Sequence, residues 1–355
     1  MSRRPINAVS FTRRRFTAAL ALGTVAAART RSSTDAQDVA SSPVPSASIG
    51  WSDDFGPDNQ RLNVATTVAP ISSIVRNVGG TRIDLRGIIP DGSDSHTFEP
   101  APSDAKILAG ADLVIANGLD LEDPTLELAR ANLRAGAEVI TLGDQTISPD
   151  QYAYDFSFPE DKGHPNPHLW PNVPFAMTYA KLAAAKLQER APADADLFAL
   201  NLTRYLDLLD RLDRGIMIAV QTIPEGQRKL LTYHDSWAYF AAHYGMTVIG
   251  AAQPSDFSEP SPQEVARLIE QIRDEKVPAV FGSEVFPSDV LAQIAKEAGA
   301  GYIDKLRDDA PPGRPGAPEH TYLGMMLTNM TLMIPALGGT VDALAGIEPY
   351  DTYAS

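Results

Sequence analysis

Three histidines and one aspartate stand where a chain of alternating strands and helices would deliver side chains to a common point: His96, His168, His234 and Asp304. His96 lies in the loop GSDSHTFEPAPSD, after the apolar run RIDLRGIIP. His168 lies in HPNPHLWPN, His234 closes KLLTYHD, and Asp304 sits in GYIDKL. The four are spaced almost evenly, two in each half of the chain. Three neutral imidazoles and one carboxylate form a borderline donor set that suits Zn²⁺, Mn²⁺ or Fe²⁺. A single loop histidine is ordinarily solvated, so the reading depends on the four converging. A ligating imidazole also needs a partner on its second nitrogen. Glu99, Asp235 and Glu284 are the nearby carboxylates, and Glu284, just past an apolar run, is expected to be buried or paired. Trp170 is expected to pack beside the site. His164 and His320 read as solvated, and His243 as packing or surface.

The elements that must position these residues follow from periodicity. LNVATTVAP (62–70), RIDLRGIIP (82–90), ADLVIANG (111–118) and AEVITLGD (137–144) read as strands. The apolar positions Ile71, Ile74, Val75 and Val78 mark a helix between the first two, and Ser103 is expected to cap another. Residues 174–190 are Ala-rich and helical. From 194 to 222 apolar positions recur at helical spacing without a breaker, a helix of roughly 40 Å at 1.5 Å per residue. The alternation then resumes: strands at 229–235, 246–251, 277–283 and 301–306, and helices from Ser236, over 262–275 and 288–299, and over 321–337. Strands alternating with helices imply parallel sheets with helices on their faces, and ligands in such sheets gather outside the carboxyl ends of the strands. The expected fold is α/β, with two βα lobes joined by one long rigid helix and a metal site in the cleft between them. The corresponding boundaries are 59–192, 193–223 and 224–355.

Composition narrows the function. With 44% hydrophobic and 21% charged residues, the chain fits a folded soluble protein. Its net charge of −15 argues against nucleic-acid binding, which needs a basic face. The absence of cysteine excludes disulfides, thiolate ligands, a cysteine nucleophile and a lipid-bearing thiol. At the start, TRRRFT followed by small apolar residues resembles a twin-arginine export signal, ending near residue 28. Residues 29–58, rich in Ser, Thr, Asp and Pro, read as a disordered leader.

SHTFEPAPSDAKIL, PHLW and HDSWAYFAAHYG, together with the long central helix, resemble the metal-specific solute-binding proteins of ABC importers, which take up zinc and manganese. The resemblance runs from about Leu62 to Gly339. It implies that His96, His168, His234 and Asp304 hold one divalent ion, which a monomeric receptor passes to a membrane permease driven by a cytoplasmic ATPase. Zinc-type members often carry a long His-rich loop before the second ligand; here DFSFPEDKGHPNP holds only His164. Manganese-type members often place Glu at the third ligand; here it is His234. Three histidines favour zinc over manganese. The alternatives are a secreted zinc-dependent hydrolase and a metal-binding adhesin or buffer. Neither an HExxH helix nor a G-x-S-x-G elbow occurs, which disfavours the hydrolase.

Overall fold

The computed structural model describes Gly50, Trp51, Phe55, 60–286 and 288–354; the expected signal peptide and most of the leader lie outside the described residues. The first half contains strands β1 (Gly50–Trp51), β2 (Leu62–Thr66), β3 (Ile83–Gly87), β4 (Leu113–Ala116) and β5 (Glu138–Thr141). Its helices are α1 (Ala69–Gly79), α2 (Pro102–Gly110), α3 (Asp123–Asn132) and α4 (Val173–Arg190). The long helix α5 spans Ala195–Gln221. The second half contributes β6 (Lys229–Thr232), α6 (Ala238–Tyr244), β7 (Thr247–Ala251), α7 (Pro262–Glu275), β8 (Ala279–Ser283), α8 (Asp289–Ala298), β9 (Gly301–Leu306) and α9 (Tyr322–Ala336). The strands form two sheets, ordered β1-β3-β2-β4-β5 and β7-β6-β8-β9. Every pairing is parallel, as the alternation of elements implied.

Helices cover both faces of a parallel sheet, so strands such as β4 and β8 are buried throughout, and β4 is apolar at every position. The main core runs through α1, α4, α5 and α9 and reaches both sheets, including Val64 and Ile115 on one side and Leu230 and Phe281 on the other. Two smaller clusters close the outer faces, one around Ile107, Val114 and Ala129, the other around Ile269, Val280 and Ile294. Helix α9 buries Tyr322, Met325, Met326, Met330 and Met333 in the shared core.

Three local readings change. Pro70 does not end a strand; it occupies the first turn of α1, where a missing N–H costs nothing. Ser103 does not cap α2. That helix begins at Pro102, and the Asp104 carboxylate accepts the Ala101 N–H at 2.7 Å. Ser236 does not open α6; its hydroxyl donates to Asp308 Oδ2 at 2.7 Å. Helix α3 was not expected, because the short DPTLELARAN stretch carries a narrow apolar face, burying only Thr125, Leu126 and Ala129.

Candidate metal centre

His96, His168 and His234 meet. His168 Nε2 lies 3.2 Å from His96 Nε2 and 2.9 Å from His234 Nε2. They are the one group of potential metal ligands that converges in this way among the described residues. Each arrives from a loop beyond a strand. The loop after β3 carries His96, the long segment between β5 and α4 carries His168, and the turn after β6 carries His234. His168 and His234 are buried, and His96 is partly exposed.

The second nitrogens are held by amides. His168 Nδ1–H donates to Asn166 Oδ1 at 2.8 Å, and His234 Nδ1–H donates to Gln253 Oε1 at 2.8 Å. These bonds leave both Nε2 atoms unprotonated and turned toward the common point, the tautomer a metal requires. Burial, followed by the neighbouring His234 and His96, holds His168 well below the ordinary histidine range. Burial and then His234 do the same for His96. The two Nε2 lone pairs of His168 and His234, aimed at each other across 2.9 Å, repel unless something positive stands between them. Their spacing is close to the ~3.3 Å edge of a tetrahedron with bonds of about 2.0–2.1 Å.

A family model described as zinc-uptake complex component A, periplasmic, matches residues 64–335. The chain belongs to this family. It is therefore a metal solute-binding protein of the ABC-transporter type. It is 27% identical to the manganese-binding lipoprotein MntA of Halalkalibacterium halodurans, over 79% of this chain and 90% of the relative. It is 27% identical to the manganese ABC transporter substrate-binding lipoprotein PsaA of Streptococcus pneumoniae, over 77% and 88% respectively. Among solved structures, the periplasmic zinc-binding protein TroA from Treponema pallidum is 28% identical and superposes with a TM-score of 0.71, over 78% of this chain and 99% of that one.

Asp304 does not join the cluster that this family membership leads one to look for. It stands exposed within β9, lining a separate cavity of about 630 Å³ with Asp289, Tyr302 and Arg307. Asp304 lies inside β9, short of the strand's carboxyl end, at a bulge in the pairing with β8. Phe281 pairs with Ile303 but Ser283 pairs with Leu306, so β9 carries one extra residue at Asp304–Lys305. Gly282 permits this, since a Cβ there would lie 2.8 Å from Tyr302 Oη and 3.0 Å from the Asp304 carbonyl oxygen. The carboxylates that do approach come from beyond the strand. Asp308 Oδ2 lies 3.8 Å from His234 Nε2, and both its oxygens accept hydroxyls, from Ser236 and Ser283. Asp309 Oδ2 accepts Ser95 Oγ at 2.9 Å, while its Oδ1 is buried with no hydrogen-bond partner. Burial, followed by Asp308, raises the Asp309 pKa to about 7.

The supporting residues divide. Glu284 Oε1 accepts the N–H groups of Asp308, Asp309 and Ala310 at 2.8–3.2 Å, pinning the loop that presents both aspartates. Burial and those aspartates push its pKa well up. Asp235 is buried and accepts the Ser157 N–H, and its carbonyl accepts Asn166 Nδ2 at 2.8 Å. It thus steadies the amide that orients His168, without touching a histidine ring itself. Trp170 packs edge-on to His168, with ring centroids 5.1 Å apart, and donates Nε1–H to the Asp308 carbonyl at 2.6 Å. Glu99 is exposed and makes no bond among the described residues. His320 is buried rather than solvated, with Nε2 3.2 Å from Asp91 Oδ2. His243 pairs with Asp213, and His164 with Asp120.

Asn166, Gln253, Ser95 and Asp309 escaped the sequence reading. Asn166 lies in the HPNPHLWPN loop, two residues before His168. The Asp–Asp pair after β9 was the available cue to Asp309. Nothing local marks Gln253.

A further buried acid, Glu122, braces the segment beside His168 through Asn117. Glu122 accepts Thr67 Oγ1 and the N–H groups of Asn117 and Gly118, and Asn117 Nδ2 donates to the Pro167 carbonyl beside His168. Burial raises Glu122 from 4.5 to about 7. The folded state therefore keeps this proton up to about pH 7, whereas the unfolded chain releases it near 4.5. This group's contribution to stability falls as pH rises through that window, by about 3 kcal/mol in all. The stability of Glu122→Gln minus that of wild type should rise by that amount between pH 4.5 and 8, measured by urea unfolding. A pH-independent difference would contradict the assignment.

Proposed function

We propose that the protein is an exported receptor that captures one divalent transition-metal ion, zinc in preference to manganese, and delivers it to an ABC permease driven by a cytoplasmic ATPase. The observation that carries this reading is the convergence of three imidazoles, two of them oriented by amides so that Nε2 faces the common point. Asp309 supplies the fourth donor. Its Oδ1 is a buried acceptor without a hydrogen bond, whereas both oxygens of Asp308 are already engaged. An N₃O set suits zinc, and zinc outranks manganese in intrinsic affinity for it. With four protein donors the shell has no open position for an attacking water, which favours a receptor over a hydrolase. The relatives named as lipoproteins differ from this chain, which contains no cysteine and so offers no thiol to a lipid. Export is assigned to the TRRRFT segment, by the twin-arginine route.

Purifying the full chain from its native compartment and measuring bound metal tests this reading directly. One equivalent of zinc is expected, with calorimetric affinity higher for Zn²⁺ than for Mn²⁺. Bound manganese with the reverse order would overturn the metal choice. A protein that binds neither ion would overturn the receptor.

A further inference from the structure

The three histidines are not held alike. His168 and His234 have amide acceptors on Nδ1, but among the described residues His96 has none. Only its backbone is fixed, by the N–H bond to Asp94 Oδ1 at 2.9 Å. The ring itself is gripped by aromatics. Phe257 stacks on it with centroids 4.5 Å apart and planes at 16°, and Phe158 leans on it at 5.5 Å and 43°. Phe257 comes from the loop between β7 and α7, in the opposite half of the molecule from His96.

That loop is built to present the ring. Phe257 has φ of 57°, the left-handed region that a bulky side chain rarely occupies. The surrounding turn holds it there: the Phe257 N–H donates to the Pro254 carbonyl at 3.0 Å, and Asp256 Oδ1 accepts both the N–H and the hydroxyl of Ser258. His96, Phe158 and Phe257 also line a cavity of about 270 Å³ with Asp120, His164 and Asp256, on the outer side of the histidine cluster.

We propose that Phe257 is a positioning residue for metal binding: its ring, stacked on His96 across the two halves, fixes the imidazole that lacks a hydrogen-bonded partner and so sets how fast the ion leaves. The inference rests on the histidine cluster being the metal site. Of the three imidazoles, His96 is the most exposed and is oriented by stacking alone, so it is the first to detach. Once the halves separate, the stack is lost and His96 is free to rotate away from the ion.

Stopped-flow release of Zn²⁺ to an excess of chelator, from the full-length protein, tests this. Phe257→Ala and Phe257→Gly should release the ion about three- to tenfold faster, the range an aromatic stack supports, with association within about twofold of wild type. Phe257→Tyr should restore the slow rate. The glycine variant relieves the left-handed backbone, so its metal-free form should melt no lower than wild type, which separates loss of the ring from loss of fold. Wild-type release rates in both the alanine and glycine variants, or fast release in the tyrosine variant, would overturn the inference. A wild-type protein that takes up no metal would instead remove the site on which the inference rests.

Discussion

Replacing His168 by alanine is expected to abolish tight metal binding, with a loss greater than the roughly 10- to 100-fold that removal of a supporting residue costs. His168 is the middle member of the cluster. Its Nε2 lies 3.2 Å from one partner nitrogen and 2.9 Å from the other, so its removal deletes one donor and leaves the remaining two without the ring between them. It is also fully buried against Trp170, so the alanine variant should melt lower than wild type even without metal. His96→Ala removes a more exposed ring and should cost less stability while still weakening binding severely. Isothermal titration with Zn²⁺, alongside metal-free melting curves, separates the two effects. Retention of wild-type affinity in a folded His168→Ala protein would refute the site.

A second pair of variants distinguishes two aspartates five residues apart. Asp309→Asn should weaken metal binding by more than the roughly 10- to 100-fold that loss of a supporting residue costs, because it neutralises the buried carboxylate assigned as fourth donor. Asp304→Asn should leave affinity within about twofold, because Asp304 is exposed beside a different cavity. The amide in Asp309→Asn still accepts from Ser95, so the loop should keep its place. The opposite ranking would return the fourth position to the residue suggested by motif. An effect confined to Asp308→Asn would assign it to the aspartate nearest His234.

The contrast between these aspartates marks how far the sequence can be read. His96, His168 and His234 were legible because each sits in a loop that leaves an apolar strand, and a parallel sheet sends all such loops to the same edge. Asp304 was chosen from its place in GYIDKL, but it lies inside β9, whereas the carboxylates that approach the histidines follow the strand's carboxyl end. Asn166 and Gln253 were missed for a different reason. An amide that orients an imidazole is recognisable only from the distance between them, and Gln253 lies 19 residues from the ring it holds.

The alternation of apolar runs and amphipathic segments by itself determined the two parallel sheets and the long helix, because local periodicity and hydrophobic burial act over a few residues at a time. The absence of cysteine by itself excluded thiolate donors from any metal site. The tertiary structure alone decided which carboxylate faces the histidines, which amides set their tautomers, and that a phenylalanine from one half lies on a histidine of the other. Those are contacts between residues far apart in the chain. Their geometry depends on how the two sheets pack against a shared helical core, and no short stretch of sequence encodes that packing.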